Sequence, residues 1–377
     1  MDALFQEGRI GTLALPNRLI RSATAERRAE ADGRVRPELA RMYRALVRGG
    51  VGLIVTGHAF VHPSGQAHPE MTGLHSDAMI PGLRQLTGVV HAEGGRVAAQ
   101  INHGGMQCDP ATVAEPFAPS GVKESFLPRP VRGMAAREVE EMAIAYGEAA
   151  RRAKDAGFDA VQIHAAHGYL VSQFLSPYVN RRADEWGGST EKRMRFLRRI
   201  CAEVRIRVGA EYPVFVKLGV IDGVEGGLAV EEAMRIVAAL EGMGLDAVEI
   251  SGGVGGGRNL NTRPGIKDEG HEAYFRAHAR RAREATRLPI ILVGGLRTKR
   301  LMEEVIESGD ADFVSLARPL ICEPDLPRRM RDEGQLRASC LSGNNCWPAE
   351  LAEGITCKCP VGEEIAESSA PSDVTAP

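Results

Sequence analysis

Three side chains that can donate protons or hydrogen bonds, His164, His167 and Tyr169, lie within six residues of the sequence. They follow residues 160–163, an apolar segment that is typical of a buried strand. In α/β enzymes, ligands bind outside the carboxyl ends of parallel strands. Two adjacent imidazoles could polarise one carbonyl oxygen there, and a tyrosine that is neutral at pH 7 could supply a proton. We therefore predict a catalytic site at this strand end.

Other roles for these residues are open from the sequence. The two histidines could be metal ligands, but such a site needs a further Cys, His or carboxylate, and none is evident in this segment. They could also be structural histidines with satisfied hydrogen bonds, and Tyr169 could serve only for packing. The absent third ligand favours a pair of hydrogen-bond donors, so no metal is predicted.

A lysine lies within another predicted buried strand. Lys217 belongs to residues 214–218 (VFVKL), where a charged side chain is costly unless it has a partner. As a structural residue, it would pair with a carboxylate of a neighbouring strand. As a functional residue, it would hold a fixed positive charge beside an anionic ring or a carbonyl, and we favour this second role.

The segments after the last two predicted strands are typical of a phosphate site. Gly294 and Gly295 open a helix after the seventh strand, and Arg318 follows the eighth. Loops at these positions of barrels often hold a phosphate through backbone N–H groups and a helix N-terminus, and an arginine adds a bidentate charge. The alternative is that the glycines only allow turns and that Arg318 forms a surface ion pair.

The elements that must position these groups alternate regularly along the chain. Eight apolar segments are each followed by a helical pattern, and their continuous apolar runs indicate strands buried on both faces. This predicts an α/β fold, a single (β/α)8 TIM barrel with an N-terminal hairpin cap at residues 8–15 and an irregular C-terminal extension. The predicted units are a catalytic barrel (1–336), a cysteine-containing extension (337–362) and a disordered polar tail (363–377).

The bounds of these elements can be stated from the sequence. The predicted strands are 17–24, 52–56, 96–101, 160–163, 213–218, 247–250, 289–293 and 313–316. The predicted helices are 37–48, 78–92, 137–156, 190–208, 230–243, 272–286, 298–308 and 325–332.

The composition limits the partners of the chain. Its 377 residues are 44% hydrophobic and 25% charged with a net charge of -2, which gives no global reason to expect nucleic acid or an anionic membrane as partner. The first residues lack the basic and apolar regions of a signal peptide, and no uncharged run could span a bilayer. We therefore predict a cytoplasmic protein.

Cysteine usage is also informative. The chain has seven cysteines, of which Cys108, Cys201 and Cys322 are scattered and four fall between residues 340 and 359. An odd number in a large chain of this kind argues against a disulfide framework.

Together, the motifs between residues 16 and 327 make the sequence resemble the Old Yellow Enzyme family of FMN-dependent oxidoreductases. The matching segments are 17–18 (NR), 22–24 (SAT), 52–57 (GLIVTG), 100–104 (QINHG), 163–170 (IHAAHGYL), 173–177 (QFLSP), 180–189 (NRRADEWGGS), 293–295 (VGG), 318–319 (RP) and 324–327 (PDLP).

The resemblance implies that FMN binds at the barrel mouth. His164 and His167 would hold the carbonyl or nitro oxygen of a substrate, and Tyr169 would be the proton donor. Lys217 would lie near flavin N1 and stabilise the reduced, anionic flavin. The implied cofactor contacts are Ala23 and Thr24 at the redox edge, the backbone near His58 and the amide of Gln100 at the pyrimidine side, and Gly294, Gly295, Ala317 and Arg318 at the phosphate.

The activity that the resemblance implies is ping-pong ene reduction. NAD(P)H reduces FMN, and an α,β-unsaturated carbonyl or nitro compound then takes a hydride at its β-carbon and a proton from Tyr169 at its α-carbon. One alternative is flavin-dependent oxidation of C–N or C–C bonds, as in dehydrogenase or demethylase relatives. Another, from a different class, is a flavin-free barrel lyase in which Lys217 forms a Schiff base. Homo-oligomer formation is left open.

Two positions at the flavin depart from the family pattern. Thr24 stands where some bacterial members have cysteine, so redox tuning by a thiol is not expected there. Lys217 replaces the arginine of the best-known members, which makes it a point charge instead of a planar fork.

The cysteines show a third departure. Larger relatives carry a cysteine-bound 4Fe–4S cluster, and residues 339–346 (SCLSGNNC) resemble the segment that binds it. Gly343 takes the position of one ligand, and a Cys-x-Cys spacing is unusual for such sites. We therefore do not expect a 4Fe–4S cluster at Cys340, Cys346, Cys357 and Cys359.

Overall fold

Eight parallel strands close into a barrel, in which each strand pairs with the next one along the chain and the last pairs back onto the first. The structure is a computed structural model, and it describes residues 2–121, 130–254, 260–346 and 354–359. The predicted (β/α)8 barrel is confirmed. The barrel strands are β3 (Leu19–Arg21), β4 (Leu53–Phe60), β5 (Val97–Asn102), β8 (Ala160–Ala165), β9 (Val214–Gly219), β10 (Val248–Ser251), β11 (Ile290–Val293) and β12 (Phe313–Leu316).

Two short pairs of strands accompany the barrel. Strands β1 (Gly8–Ile10) and β2 (Leu13–Leu15) form the predicted antiparallel hairpin. Strands β6 (Phe117–Ala118) and β7 (Arg132–Gly133) pair in the long connection after β5.

Helices surround the barrel on its outer face, because their apolar stripes must be buried against the strands. They are α1 (Pro37–Arg48), α2 (Ile80–Ala92), α3 (Ala136–Asp155), α4 (Leu170–Leu175), α5 (Thr190–Arg193), α6 (Arg195–Val208), α7 (Val230–Ala239), α8 (Arg276–Ala285), α9 (Lys299–Glu307), α10 (Arg318–Cys322) and α11 (Leu326–Asp332).

The hairpin closes the amino-terminal end of the barrel. Ile10 and Leu15 are fully buried there and belong to the same apolar cluster as Leu53, Phe215 and Phe313, which lie at or near the starts of their strands. Burial of large side chains of this kind stabilises by about 1.5–3 kcal/mol each. Because apolar residues fill this end, polar groups are left to the carboxyl end of the strands.

The differences from the predicted elements have local causes. Helices α4 and α10 were not predicted, because segments of six and five residues are too short to show a helical period. The predicted helix 190–208 is two helices that meet at Met194. Strand β4 continues past the predicted end to Phe60, with a change of register between Val55 and His58.

Some predictions lie outside the described residues. They include the tail at 363–377 and part of the extension at 337–362. Within the described part of the chain, no helix combines the length and the apolar character that crossing a membrane requires.

Candidate active site

A cavity of about 980 Å3, including its open mouth, lies at the carboxyl ends of the strands. The structure brings nearly all the predicted site residues to it, although they come from seven different strand ends. Gly294 is not in its lining and directly precedes Gly295, which is. The predicted residues that line the cavity are Ala23, Thr24, His58, Gln100, His164, His167, Tyr169, Lys217, Gly295, Ala317 and Arg318.

The two histidines at the end of β8 lie edge to face, with their ring centroids 5.0 Å apart. His164 accepts a hydrogen bond at Nδ1 from the backbone N–H of Ala166 (3.3 Å), which leaves Nε2 as its protonated nitrogen. His167 lies 2.7 Å through Nε2 from Ser251 Oγ. If Ser251 donates this bond, Nδ1 of His167 carries the second free N–H.

Both imidazoles are held neutral. Burial lowers the pKa of His164 well below its ordinary value, and the charges of His167, His58 and Lys217 act in the same direction. Burial and Lys217 likewise lower the pKa of His167. Neutral imidazoles can donate hydrogen bonds without bringing a charge into the cavity, so the pair can polarise an uncharged oxygen.

Tyr169 lies between the histidines of two strands. Its ring centroid is 4.9 Å from that of His164 and 4.9 Å from that of His58. Burial raises the pKa of Tyr169 to about 12, partly offset by the nearby charge of Arg27. The hydroxyl therefore stays protonated at neutral pH and could act as an acid toward a strongly basic carbon.

Lys217 does pair with a carboxylate, which the sequence analysis raised only as the structural alternative. Its ammonium donates to Glu249 Oε1 (3.0 Å) and to Ser22 Oγ (2.8 Å), and it also lines the cavity. Glu249 was not among the predicted site residues. The sequence signal for this carboxylate was a single acidic residue, Glu249, in the apolar strand β10. It lies opposite Lys217 where β10 pairs with β9.

Arg318 is the first residue of α10 and lines the same cavity. Its guanidinium is 6% exposed and donates to the carbonyls of Arg263 and Ser342 and to Asn344 Oδ1. Among the described residues it has no carboxylate partner, so the alternative of a surface ion pair is not supported. A buried guanidinium without a counter-charge at a cavity wall fits an anionic ligand.

Residues 3–336 match the family described as NADH:flavin oxidoreductase / NADH oxidase. The chain belongs to this family, the Old Yellow Enzyme family. FMN is therefore its cofactor. The resemblance that the sequence motifs indicated is confirmed.

Relatives that are similar to the chain differ in length. The NADH oxidase of Thermoanaerobacter brockii is 35% identical over 364 residues, which cover 95% of this chain and 55% of that protein. The chain thus spans about half the length of this relative. The NADPH dehydrogenase of Bacillus subtilis is 33% identical over 86% of this chain and 93% of its own length. The structure of the Old Yellow Enzyme homologue from Zymomonas mobilis superposes with a TM-score of 0.78 at 26% identity, covering 96% of this chain and 98% of the other.

The lining of the cavity fits FMN. Arg318 and the Gly295 loop could hold a phosphate at one end, and Lys217 and Gln100 could meet the polar edge of the ring at the other. Gly295 has a φ of 75°, which favours glycine, and a Cβ there would approach the Tyr274 ring to 2.9 Å. Tyr274 also lines the cavity and was missed, because nothing in the sequence distinguishes it from a packing residue.

The cysteines gather beside α10. Sγ atoms of Cys322, Cys340 and Cys359 lie within 4.8 Å of one another, and Cys322 forms a disulfide with Cys357. The sequence placed Cys322 among the scattered cysteines and argued against a disulfide framework. The bond to Cys357 departs from that expectation, because the segment at 354–359 folds back against the end of α10. The absence of a 4Fe–4S cluster stays a prediction.

Buried histidines should make the fold sensitive to acid. Burial lowers the pKa of His58 to about 4, of His103 to about 3 and of His68 to about 2, against about 6.5 in an unfolded chain. Because the unfolded chain binds protons that the folded chain does not, stability falls as pH drops below 6.5. By linkage, each of these three histidines lowers the free energy of unfolding by about 2 kcal/mol between pH 7 and pH 5.

One carboxyl opposes this trend. Burial raises the pKa of Asp222 to about 6, which restores about 1 kcal/mol over the same range. We expect a net loss of about 5 kcal/mol in the free energy of unfolding from these four groups. Urea denaturation of flavin-free protein at pH 7 and pH 5 measures it, and equal transition midpoints would contradict the assignment of neutral buried histidines.

Proposed function

We propose that the protein is an FMN-dependent NAD(P)H oxidoreductase that reduces the C=C bond of α,β-unsaturated carbonyl or nitro compounds. The observation that carries this proposal is the pair of neutral imidazoles, His164 and His167, beside the protonated hydroxyl of Tyr169. All three line the cavity that also contains Lys217 and Arg318. A donor pair next to an acid is what reduction of a polarised alkene requires.

The substrate oxygen would accept hydrogen bonds from both imidazoles. These bonds withdraw electron density from the conjugated system and make the β-carbon electrophilic. When bound, FMN accepts a hydride from NAD(P)H and supplies a hydride to that carbon. The imidazoles then stabilise the negative charge that develops on the oxygen.

Tyr169 would complete the reaction. Its O–H donates a proton to the α-carbon, and solvent restores the proton to the phenolate. The net change is one alkene and one NAD(P)H, with one proton from solvent, converted to the saturated product and NAD(P)+. The roles of Ala23, Thr24, His58 and Gln100 at the ring, and of Gly294, Gly295, Ala317 and Arg318 at the phosphate, are part of the same proposal.

The two alternatives find less support. A Schiff base on Lys217 needs a free amine, whereas this ammonium is bonded to Glu249 and Ser22. Oxidation of C–N or C–C bonds by the flavin would use the same cavity, but it has no step in which Tyr169 donates a proton. Both remain distinguishable by experiment.

Anaerobic flavin spectroscopy tests the proposal. The protein, loaded with FMN, should lose its visible flavin absorbance on addition of NADPH or NADH and regain it on addition of 2-cyclohexenone or a nitroalkene. Amines and saturated ketones serve as the matched panel for the oxidative alternative. Protein that stays colourless after incubation with FMN would refute ene reduction. Reduction of the bound flavin by amines or saturated ketones, but not by NAD(P)H, would refute it as well.

A further inference from the structure

Glu249 is a buried carboxylate at the centre of the barrel that the chemistry above does not use. It lies in the middle of β10 and has no exposed surface. Its Oε1 accepts from Ser22 Oγ (2.7 Å), Lys217 Nζ (3.0 Å) and Ser315 Oγ (3.1 Å), and its Oε2 accepts from Gln162 Nε2 (2.8 Å). Four donors from four strands therefore converge on one carboxylate.

This carboxylate is connected to both polar contacts at the ring end of the cavity. Lys217 binds it directly, and Gln100 binds it through Gln162, because Gln100 Nε2 donates to Gln162 Oε1 (2.6 Å). Ser22 and Ser315, which also donate to Glu249, line the cavity as well. Glu249 thus fixes the position of the groups proposed to meet the polar edge of the flavin.

Glu249 is also the counter-charge of Lys217. Burial raises the pKa of this carboxyl, but Lys217 and the hydrogen bonds from Ser22 and Gln162 outweigh it and hold the pKa below its ordinary value. The carboxylate is therefore ionised at neutral pH. A ligand in the cavity meets an ion pair with no net charge, and not an isolated lysine.

We propose that Glu249 sets the reduction potential of the bound FMN by balancing the charge of Lys217. Reduction adds negative charge to the ring, and an uncompensated lysine beside it would favour the reduced form strongly. Glu249 cancels part of that attraction, so the flavin remains a better hydride donor to alkenes. The inference rests on FMN lying in this cavity, but not on the identity of the substrate.

Four proteins that vary the net charge of this pair test the proposal. In the wild type and in the double variant Lys217→Met/Glu249→Gln the pair is neutral, in Glu249→Gln it is positive, and in Lys217→Met it is negative. The midpoint potential of bound FMN is measured anaerobically against reference dyes at pH 7. Since the double variant leaves no unpaired buried charge, it should fold even if a single variant does not.

The midpoint potential of FMN in Glu249→Gln should be higher than in the wild type, and that in Lys217→Met should be lower. The potential in the double variant should be close to that of the wild type. For Glu249→Gln the ratio of reduced to oxidised FMN affinity should rise at least tenfold, which corresponds to about 30 mV for a two-electron couple. The double variant should stay within about threefold of wild type, by cancellation of the two charges.

Two results would overturn the inference. One is an unchanged ratio in Glu249→Gln with FMN still bound. The other is a double variant whose potential follows that of Lys217→Met, since lysine would then act alone. Failure of the proposed function is seen separately: a protein that binds FMN but reduces no alkene leaves these potentials measurable.

Discussion

Replacing Tyr169 with phenylalanine is expected to slow alkene reduction by about 10²–10⁴, the range typical of a lost general acid. Reduction of the flavin by NAD(P)H should be unchanged, because that half-reaction requires no proton from this side chain. The substitution removes only the hydroxyl. The ring contacts at 4.9 Å with His58 and His164 remain, so substrate binding should change little.

The two half-reactions can be measured separately by anaerobic stopped-flow absorbance of the flavin. Tyr146→Phe is the matched control, since Tyr146 is buried in the apolar cluster around α3 and does not line the cavity. A Tyr169→Phe variant that reduces alkenes at the wild-type rate would show that the proton comes from elsewhere. Equal slowing of both half-reactions would indicate a distorted site instead of a lost acid.

The barrel and most of its mouth could be predicted because both follow from local patterns. Continuous apolar runs mark strands buried on two faces, and a parallel barrel places all their carboxyl ends together. His164, Lys217 and Arg318 stand at such ends, so their convergence required only the fold. The chemistry of each side chain and its position on its strand were enough.

The partners of these residues could not be predicted in the same way. Lys217 and Glu249 are opposite each other only through the register of β9 and β10, which the sequence does not state. Glu249 lies one residue before the end of the predicted strand 247–250, and therefore it was not included among the residues at the strand ends. The Cys322–Cys357 disulfide depends similarly on how an irregular segment crosses α10.

The same limit applied to Arg318. Its sequence context allowed either a phosphate anchor or a surface ion pair, and burial excludes the surface ion pair. A guanidinium that is 6% exposed, and bonded to carbonyl and amide oxygens in the described chain, is not a surface ion pair. The decisive quantity was solvent exposure, which depends on the packing of residues 339–346 against α10.

Replacing His164 with alanine is expected to slow alkene reduction by about 10²–10³, the usual cost of removing one donor to a developing oxyanion. Nδ1 of His164 is occupied by the N–H of Ala166, so its free donor is Nε2. Without that donor, the substrate oxygen keeps only one imidazole. The binding of a phenol as its phenolate to the oxidised protein should weaken about 10–150-fold, because hydrogen bonds to charged groups contribute about 1.5–3 kcal/mol.

FMN should remain bound in this variant, since the groups proposed to hold it lie on other strands. Phenol titrations followed by the flavin spectrum give the dissociation constant, and stopped-flow absorbance gives the rate. His164→Asn is the matched variant, because its amide N–H can replace part of the lost donation, and it should recover part of both effects. Loss of the yellow colour in His164→Ala would instead make His164 a cofactor-binding or structural residue. A phenol affinity equal to that of the wild type would remove it from the substrate site.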